Sequence, residues 1–150
     1  MILGVTGSMG CGKSYTCNKI VNLALDRQID IVYIDFDVIR RKERKPYNFV
    51  STMKKESQLV LFEWALLVED GLLPLVDKVL LVKCDYETQL NRLIQGDLPQ
   101  HEILRRINFQ LSNNEKEEKI RQSGKSLFIF DSSDNPDDIK YMNLLEQILK

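Results

Sequence analysis

The residues most clearly able to do chemistry form a glycine-rich octapeptide near the start of the sequence. Gly7 to Ser14 reads Gly-Ser-Met-Gly-Cys-Gly-Lys-Ser and fits the pattern G-x-x-x-x-G-K-S. Glycines let backbone N–H groups close around an anion, and the positive end of a following helix adds to the attraction. The pattern predicts a nucleoside triphosphate site, with Lys13 at the β- and γ-phosphates and the Ser14 hydroxyl as a ligand of Mg²⁺. The residues expected at the nucleotide are Gly7, Ser8, Met9, Gly10, Cys11, Gly12, Lys13, Ser14 and Tyr15.

Two aspartates supply the next candidates. A phosphotransferase that acts on a hydroxyl needs a carboxylate to orient the acceptor and take its proton. Asp35 and Asp37 end the second predicted strand, at the same sheet edge as the glycine loop. Residues two apart on an extended chain point the same way, so the two carboxylates are expected side by side. We assign chemistry to Asp37 and an acceptor contact to Asp35; the alternative is that both solvate a turn.

Further charged residues follow the second, third and fourth predicted strands. Either Glu63 or Glu69 could serve a metal ion or its water shell, and either could equally be a solvated carboxylate. Arginines on the later helices could stabilise charge on a transferring phosphoryl group. Five basic residues in six positions could bind a phosphorylated acceptor or nucleic acid, although a solvated helix face explains such a run more often. These residues are Arg92, Arg105 and Arg106 on the helices, and Arg40, Arg41, Lys42, Arg44 and Lys45 in the run.

Composition excludes several other classes of protein. The 150 residues are 43% hydrophobic and 29% charged, which describes an ordinary globular domain. A formal net charge of −1 gives no reason to expect nucleic acid or a membrane as partner. The apolar run at Met1 to Val5 starts too early to leave room for a targeting segment. Three cysteines without C-x-x-C spacing argue against a disulfide framework or a zinc site and favour the cytoplasm.

The hydrophobic pattern predicts strands that alternate with helices. Such an order indicates a parallel sheet covered on both faces, with ligands at the carboxyl ends of its strands. The predicted strands are Ile2 to Thr6, Ile29 to Ile34, Gln58 to Trp64, Lys78 to Cys84 and Ser126 to Phe130. The predicted helices are Ser14 to Arg27, Tyr86 to Ile94, Pro99 to about Leu111, Glu115 to about Gln122, and Asp137 to Leu149 with Ile139, Met142, Leu145 and Leu149 inward.

Four segments together resemble the dephospho-coenzyme A kinases. The first runs from Gly4-Val5-Thr6-Gly7 to Gly12-Lys13-Ser14. The second, Asp35-Phe36-Asp37-Val38-Ile39-Arg40, is similar to that family's Asp-x-Asp-x-Ile-x-Arg, with the arginine of this chain directly after the isoleucine. The third is Leu66-Leu67-Val68-Glu69. The most distinctive is the lid block, with Glu87-Thr88-Gln89-Leu90-Asn91-Arg92-Leu93, Gln95-Gly96-Asp97 and Arg106-Ile107-Asn108-Phe109-Gln110.

The resemblance implies a P-loop nucleoside triphosphate hydrolase fold with a five-stranded parallel sheet and a helical lid over about residues 96–122. It implies that Asp37 is the catalytic base and Arg106 the lid arginine, with Asp35, Arg40, Glu69 and Arg92 at the acceptor. Arg105 is expected to face solvent or an acidic neighbour. The whole chain is then one kinase domain.

Two departures from the family concern the acceptor. The stretch over about residues 38–57 is far shorter than the family's acceptor-binding subdomain, and Gly96 stands where a lid arginine is expected. The first expectation is an ATP- and Mg²⁺-dependent transferase of coenzyme A biosynthesis, acting on the ribose 3′-hydroxyl of dephospho-CoA. The alternatives are a kinase for a smaller nucleoside or nucleotide acceptor, and a nucleotide-binding module with little transferase activity.

Overall fold

Five parallel strands lie at the centre of the structure, a computed structural model that describes residues 1–42, 48, 50 and 59–150. Their spatial order is β2-β3-β1-β4-β5, so the chain crosses from one side of the first strand to the other. Every residue of β1 and β3 is buried, which explains why these strands are continuously apolar rather than alternating. The strands are β1 Ile2–Thr6, β2 Ile31–Asp35, β3 Leu59–Glu63, β4 Lys78–Lys83 and β5 Ser126–Asp131.

Helices cover both faces of this sheet, as the alternating pattern predicts. Successive side chains of a strand point to opposite faces, and Leu3 and Ile2 accordingly belong to two separate hydrophobic clusters. A short 3₁₀ helix, Leu73–Leu75, precedes β4. The described α-helices are α1 Lys13–Asp26, α2 Phe36–Lys42, α3 Tyr86–Ile94, α4 Gln100–Phe109, α5 Asn113–Gln122 and α6 Asp138–Leu149.

The inner face of α6 differs from the predicted one. Ile139 was expected inward, but 66% of it is exposed. Leu145 is buried as predicted, and Tyr141, Leu144 and Ile148 form the rest of the buried face. Tyr141 takes the inward position because its ring packs against Phe130 of β5, with centroids 4.8 Å apart.

Strand register brings the functional candidates to one edge. Val5 of β1 pairs with Glu63 of β3, and Glu63 in turn pairs with Asp35 of β2. The carboxyl ends of three neighbouring strands therefore reach the same level, where the glycine loop also begins. None of the helices in the described part of the chain combines the length and apolar character needed to cross a bilayer.

Candidate active site

The glycine loop joins β1 to α1 and lies tightly against β4. A Cβ atom on Gly7 would lie 2.2 Å from the carbonyl oxygen of Val82, so no larger residue fits there without displacing the loop. Gly12, which precedes the first turn of α1, has a φ of 81°, a conformation that favours glycine. The loop is thereby bent so that the N-terminal end of α1 opens toward the edge of the sheet. This is the geometry expected of an anion site.

Lys13 lies inside the curve of this loop. Its ammonium donates a hydrogen bond to the carbonyl oxygen of Ser8, at 3.2 Å. Burial lowers the pKa of Lys13, while the nearby Glu63 carboxylate acts in the opposite direction. A phosphate group entering the loop would therefore meet a positively charged group that is already poorly solvated.

Ser14 and Glu63 meet at the first turn of α1. The Ser14 hydroxyl donates to Oε1 of Glu63 at 2.8 Å, and the Tyr33 hydroxyl donates a short hydrogen bond to Oε2. Glu63 is buried, so these donors hold its carboxylate in a fixed orientation. Of the two glutamates considered from the sequence, Glu63 is the one that lies beside the predicted metal ligand.

A cleft of about 510 Å³ opens between the glycine loop, the ends of β2 and β3, and α4. Charged and apolar groups share its walls, a composition that suits an acceptor with both polar and ring-shaped parts. Lys13, Ser14, Asp35, Asp37, Arg40, Glu63, Trp64, Leu66, Arg105, Arg106 and Phe109 are among its lining residues.

Asp35 and Asp37 both line this cleft, but not on an extended chain. Helix α2 begins at Phe36, and a carboxylate oxygen of Asp35 accepts the backbone N–H of Asp37 at 2.9 Å. The expectation that both side chains point the same way on an extended chain was therefore wrong, although both residues still line the cleft. Asp37 also accepts hydrogen bonds from Arg40 and Arg41.

The described part of the basic run makes contacts within this region of the protein. The guanidinium of Arg40 lies 4.7 Å from the centre of the Trp64 ring, at the wall of the cleft. Lys42 is exposed. Arg44 and Lys45 lie outside the described residues.

Arg105 and Arg106 share one carboxylate on α4. Glu102 accepts two hydrogen bonds from Arg105, at 2.7 and 3.0 Å, and one from Arg106 at 2.9 Å. These hydrogen bonds lower the pKa of Glu102 to about 2. Arg105 has the acidic neighbour expected for it, but it also lines the cleft, because residues three and four positions after Glu102 lie on the same helix face.

Arg92 lies on the other side of the glycine loop. Its guanidinium donates to the hydroxyl and the carbonyl oxygen of Ser132, at 3.0 and 2.7 Å. It lines a second cleft, of about 370 Å³, rather than the one that holds Asp37. This cleft was not predicted from the sequence. Its residues after β5 follow the end of a predicted strand, which is where ligands of a parallel sheet usually bind. The cleft is lined by Gly12, Tyr15, Arg92, Ser132, Asn135, Pro136 and Tyr141.

Comparisons with known proteins bear on what this site does. The family model described as Dephospho-CoA kinase matches residues 44–123, a stretch that excludes the widely shared glycine loop. A dephospho-CoA kinase of Fusobacterium nucleatum subsp. nucleatum is 30% identical over 165 residues, covering 79% of this chain and 86% of that protein. The chain belongs to the dephospho-CoA kinase family. It is accordingly an ATP-dependent phosphotransferase.

Solved structures support the same fold. The crystal structure of TT1252 from Thermus thermophilus matches with a TM-score of 0.63 at 18% identity, over 99% of this chain and 96% of that one. Shikimate kinase from Bacteroides thetaiotaomicron matches with a TM-score of 0.55 at 12% identity, over the same shares of the two chains. The predicted P-loop fold is thus confirmed for this family member.

In this dephospho-CoA kinase family member, Glu69 contacts a buried lysine that sequence reasoning missed. The Lys116 side chain is fully buried and donates to both oxygens of Glu69 and to the carbonyl of Ala65, each at 2.7 Å. Glu69 also accepts the backbone N–H of Leu111. The contacts join α5 to the turn after β3. Glu69 is therefore placed beside Lys116, and it is not among the residues that line the larger cleft.

We expect Lys116→Ala to lower the free energy of unfolding by about 3 kcal/mol, because it leaves the Glu69 carboxylate without its buried partner. Chemical denaturation followed by circular dichroism measures the change. The double variant Lys116→Met with Glu69→Gln should recover much of the loss, since it removes both charges. A single variant as stable as the unmodified protein would contradict this account of the ion pair.

The residues after α4 also reach the glycine loop. Gln110 accepts the backbone N–H of Met9 at 3.1 Å, and Asn113 accepts hydrogen bonds from the backbone and hydroxyl of Ser8 at 3.0 Å. Movement of α4 and α5 would therefore displace the glycine loop directly. These long-range contacts were not predictable from the sequence pattern.

Proposed function

We propose that this kinase transfers the γ-phosphoryl group of ATP to the ribose 3′-hydroxyl of dephospho-CoA, giving CoA and ADP. One observation carries the proposal: the Asp35 and Asp37 carboxylates line the same cleft as Lys13 and Ser14. A hydroxyl acceptor bound there would lie between a proton acceptor and the phosphate loop. Membership of the dephospho-CoA kinase family supports the choice of acceptor.

The proposed roles of the site residues follow from their positions. Asp37 takes the proton of the acceptor hydroxyl as the bond to phosphorus forms. Lys13 and Arg106 balance the charge that spreads over the transferred group. Asp35 orients Asp37, because it already accepts the Asp37 N–H.

Arg106→Ala should lower kcat by about 10²–10³-fold, the usual loss when one preorganised donor to the transition state is removed. Arg105→Ala is the matched control and should lose much less, because Arg105 gives two hydrogen bonds to Glu102 while Arg106 gives one through its Nε atom. Steady-state ADP release measures both variants. Equal losses, with both proteins melting normally, would count against Arg106.

A magnesium ion would fit beside Ser14 and Glu63. Mg²⁺ prefers oxygen ligands and usually takes only one or two from the protein, the rest coming from phosphates and water. The Ser14 hydroxyl and the fixed Glu63 carboxylate provide such oxygens at one corner of the cleft. The ion would supply charge neutralisation at the phosphates, with Ser14 as its ligand and Glu63 holding its water shell.

We expect Glu63→Gln to weaken magnesium binding in the presence of ATP by about 10–100-fold, the typical effect of losing an outer-shell partner. Calorimetric titration of Mg²⁺ into the protein with ATP measures this without requiring turnover. Glu69→Gln is the control, since its expected effect is on stability through Lys116. Unchanged magnesium affinity in Glu63→Gln would remove Glu63 from the metal site.

The second cleft is the proposed site for the adenine of ATP. Gly12 and Tyr15, both expected at the nucleotide, line it from the loop side, and Asn135 and Pro136 line it after β5. Arg92 lies at its boundary with the loop, where its guanidinium is 3.5 Å from the carbonyl oxygen of Gly10. We therefore assign Arg92 to the donor nucleotide rather than to the acceptor.

Aromatic walls define the proposed acceptor side. Trp64 and the 80% exposed Phe109 line the larger cleft, where flat rings could stack on a base.

We propose one kinase domain with a lid over about residues 96–122 and a shortened acceptor insert over about 38–57. The alignment with the Fusobacterium protein spans 165 positions but covers only 79% of this 150-residue chain. The Fusobacterium protein therefore has residues with no counterpart in this chain, which is consistent with a shortened insert. Three free thiols in the described chain favour the cytoplasm as its location.

An acceptor screen tests the proposal directly. ADP release is measured with ATP, Mg²⁺ and either dephospho-CoA, nucleosides or nucleoside monophosphates. Release that depends on dephospho-CoA, with phosphate found on the ribose 3′-oxygen, supports the proposal. Preference for a nucleoside or a nucleotide would replace the acceptor. ATP binding without acceptor-dependent release would leave a nucleotide-binding module.

A further inference from the structure

Two thiols meet beside the phosphate loop and have no role in the proposed reaction. The sulfur atoms of Cys11 and Cys84 are 3.1 Å apart. Cys11 is fully buried within the loop, whereas Cys84, directly after β4, is partly exposed. The close approach follows from the fold, because the loop packs against β4 at Gly7.

We propose that Cys11 and Cys84 are a reversible disulfide site, and that closing it weakens ATP binding by displacing the phosphate loop. The inference concerns the ATP site alone and does not depend on which acceptor the enzyme uses. Cys17 is not part of the proposed disulfide site, because its side chain belongs to the hydrophobic core.

The oxidant we name is a low-molecular-weight disulfide such as oxidised glutathione. The Cys84 thiol loses its proton to water, and the resulting thiolate attacks one sulfur of oxidised glutathione. The glutathione S–S bond breaks, a mixed disulfide forms, and one glutathione thiolate is released. The Cys11 thiolate then attacks the Cys84 sulfur, forming the Cys11–Cys84 bond and releasing the second glutathione. Two thiols are oxidised, one glutathione disulfide is reduced to two glutathiones, and two protons pass from the protein to the two leaving groups.

Exposure and protonation set the order and the speed of these steps. Cys84 is the sulfur that solvent reaches, so it is the first to react. Burial, with the hydrogen bond to Cys11, raises the pKa of Cys84 to about 12. Only the thiolate attacks, so below this pKa the first step should accelerate about tenfold for each unit of rising pH.

Bond formation requires the two sulfur atoms to move towards each other. A disulfide holds its sulfurs at about 2.03–2.05 Å, so the two atoms must approach by about 1 Å. Cys11 is fixed on both sides: its N–H donates to the Ser8 carbonyl at 3.2 Å, and its carbonyl accepts the Ser132 hydroxyl at 2.8 Å. The same Ser8 carbonyl accepts the Lys13 ammonium. A shift of Cys11 is therefore transmitted to the groups that bind phosphate.

Linkage makes the effect reciprocal. If the disulfide weakens ATP binding tenfold, then saturating ATP must disfavour the disulfide by the same factor. For this two-electron couple a tenfold change corresponds to about 30 mV in the midpoint potential.

The experiment equilibrates the full chain at pH 8.5 in buffers of fixed reduced-to-oxidised glutathione ratio, with and without ATP. Samples are quenched with acid, alkylated and digested, and the linked peptides are identified by mass spectrometry. ATP affinity is measured by calorimetry on the oxidised and the re-reduced protein, and circular dichroism confirms that both are folded. We expect a Cys11–Cys84 crosslink, at least tenfold weaker ATP binding on oxidation, full recovery with a thiol reductant, and a higher midpoint potential with ATP.

Two variants serve as controls. Cys84→Ser should bind ATP as the unmodified protein does and show no response to oxidation, whereas Cys17→Ala should keep the full response. Glutathione attached to Cys84 without an internal crosslink would overturn the proposal, as would a crosslink that leaves ATP affinity unchanged. Neither readout uses an acceptor, so a failed acceptor screen and a failed disulfide test are distinguishable.

Discussion

Lys13→Ala is expected to reduce phosphoryl transfer by at least about 10²–10³-fold while leaving the fold intact. The Lys13 ammonium lies inside the glycine loop and contacts the Ser8 carbonyl rather than the hydrophobic core. Its removal therefore takes charge from the transition state and does not open a cavity. Acceptor-dependent ADP release measures the loss, and thermal unfolding checks the fold.

Lys19→Ala is the matched control for this change. Lys19 lies on the same helix but pairs with the exposed Asp138 at 2.7 Å, away from the loop. It should retain near-normal turnover. Equal activity in Lys13→Ala and Lys19→Ala would show that the glycine loop is not where phosphoryl transfer occurs.

The second large effect is expected at Asp37. Asp37→Asn should slow turnover by about 10²–10⁴-fold, the range for loss of a general base. The amide keeps the size and an acceptor oxygen, so the contacts with Arg40 and Arg41 can persist in weaker form. ATP affinity, measured by calorimetry, should change little, because Asp37 lies in the cleft proposed for the acceptor.

Asp35→Asn separates the two carboxylates. Its amide oxygen can still accept the N–H of Asp37, so the start of α2 is preserved. We expect a smaller loss of turnover than in Asp37→Asn. Full activity in Asp37→Asn together with a large loss in Asp35→Asn would move the base to Asp35.

Local features of the site were predictable because they depend on short stretches of chain. The glycine loop needs left-handed backbone at Gly12 and an uncrowded position at Gly7, and the sequence places glycine at both. The order of the five strands followed from hydrophobic periodicity, whereas the short helix α2 was not predicted. The buried strands β1 and β3 are continuously apolar, as a covered parallel sheet requires. Composition and pattern therefore determined the fold class and the conformation of the glycine loop.

Only the tertiary structure showed which of two chemically identical side chains lies at the site. Glu63 and Glu69 look alike in sequence, but the pairing of β3 with β1 places Glu63 beside Ser14, while the packing of α5 gives Glu69 to Lys116. Arg105 has the acidic neighbour expected for it, but only the structure showed that this neighbour, Glu102, also binds Arg106 and that both arginines line the cleft.

The Cys11–Cys84 contact shows most clearly that sequence patterns do not reveal which distant side chains meet. Its two sulfurs are separated by 73 positions in the chain, and their distance is decided by how the loop packs on β4. Periodicity and motifs encode the conformation of neighbouring residues. Side-chain partners across the sheet depend on strand order and register, which arise only when the whole core packs. The sequence by itself thus determined a glycine loop on a parallel sheet, and tertiary packing decided which carboxylates, arginines and thiols meet around it.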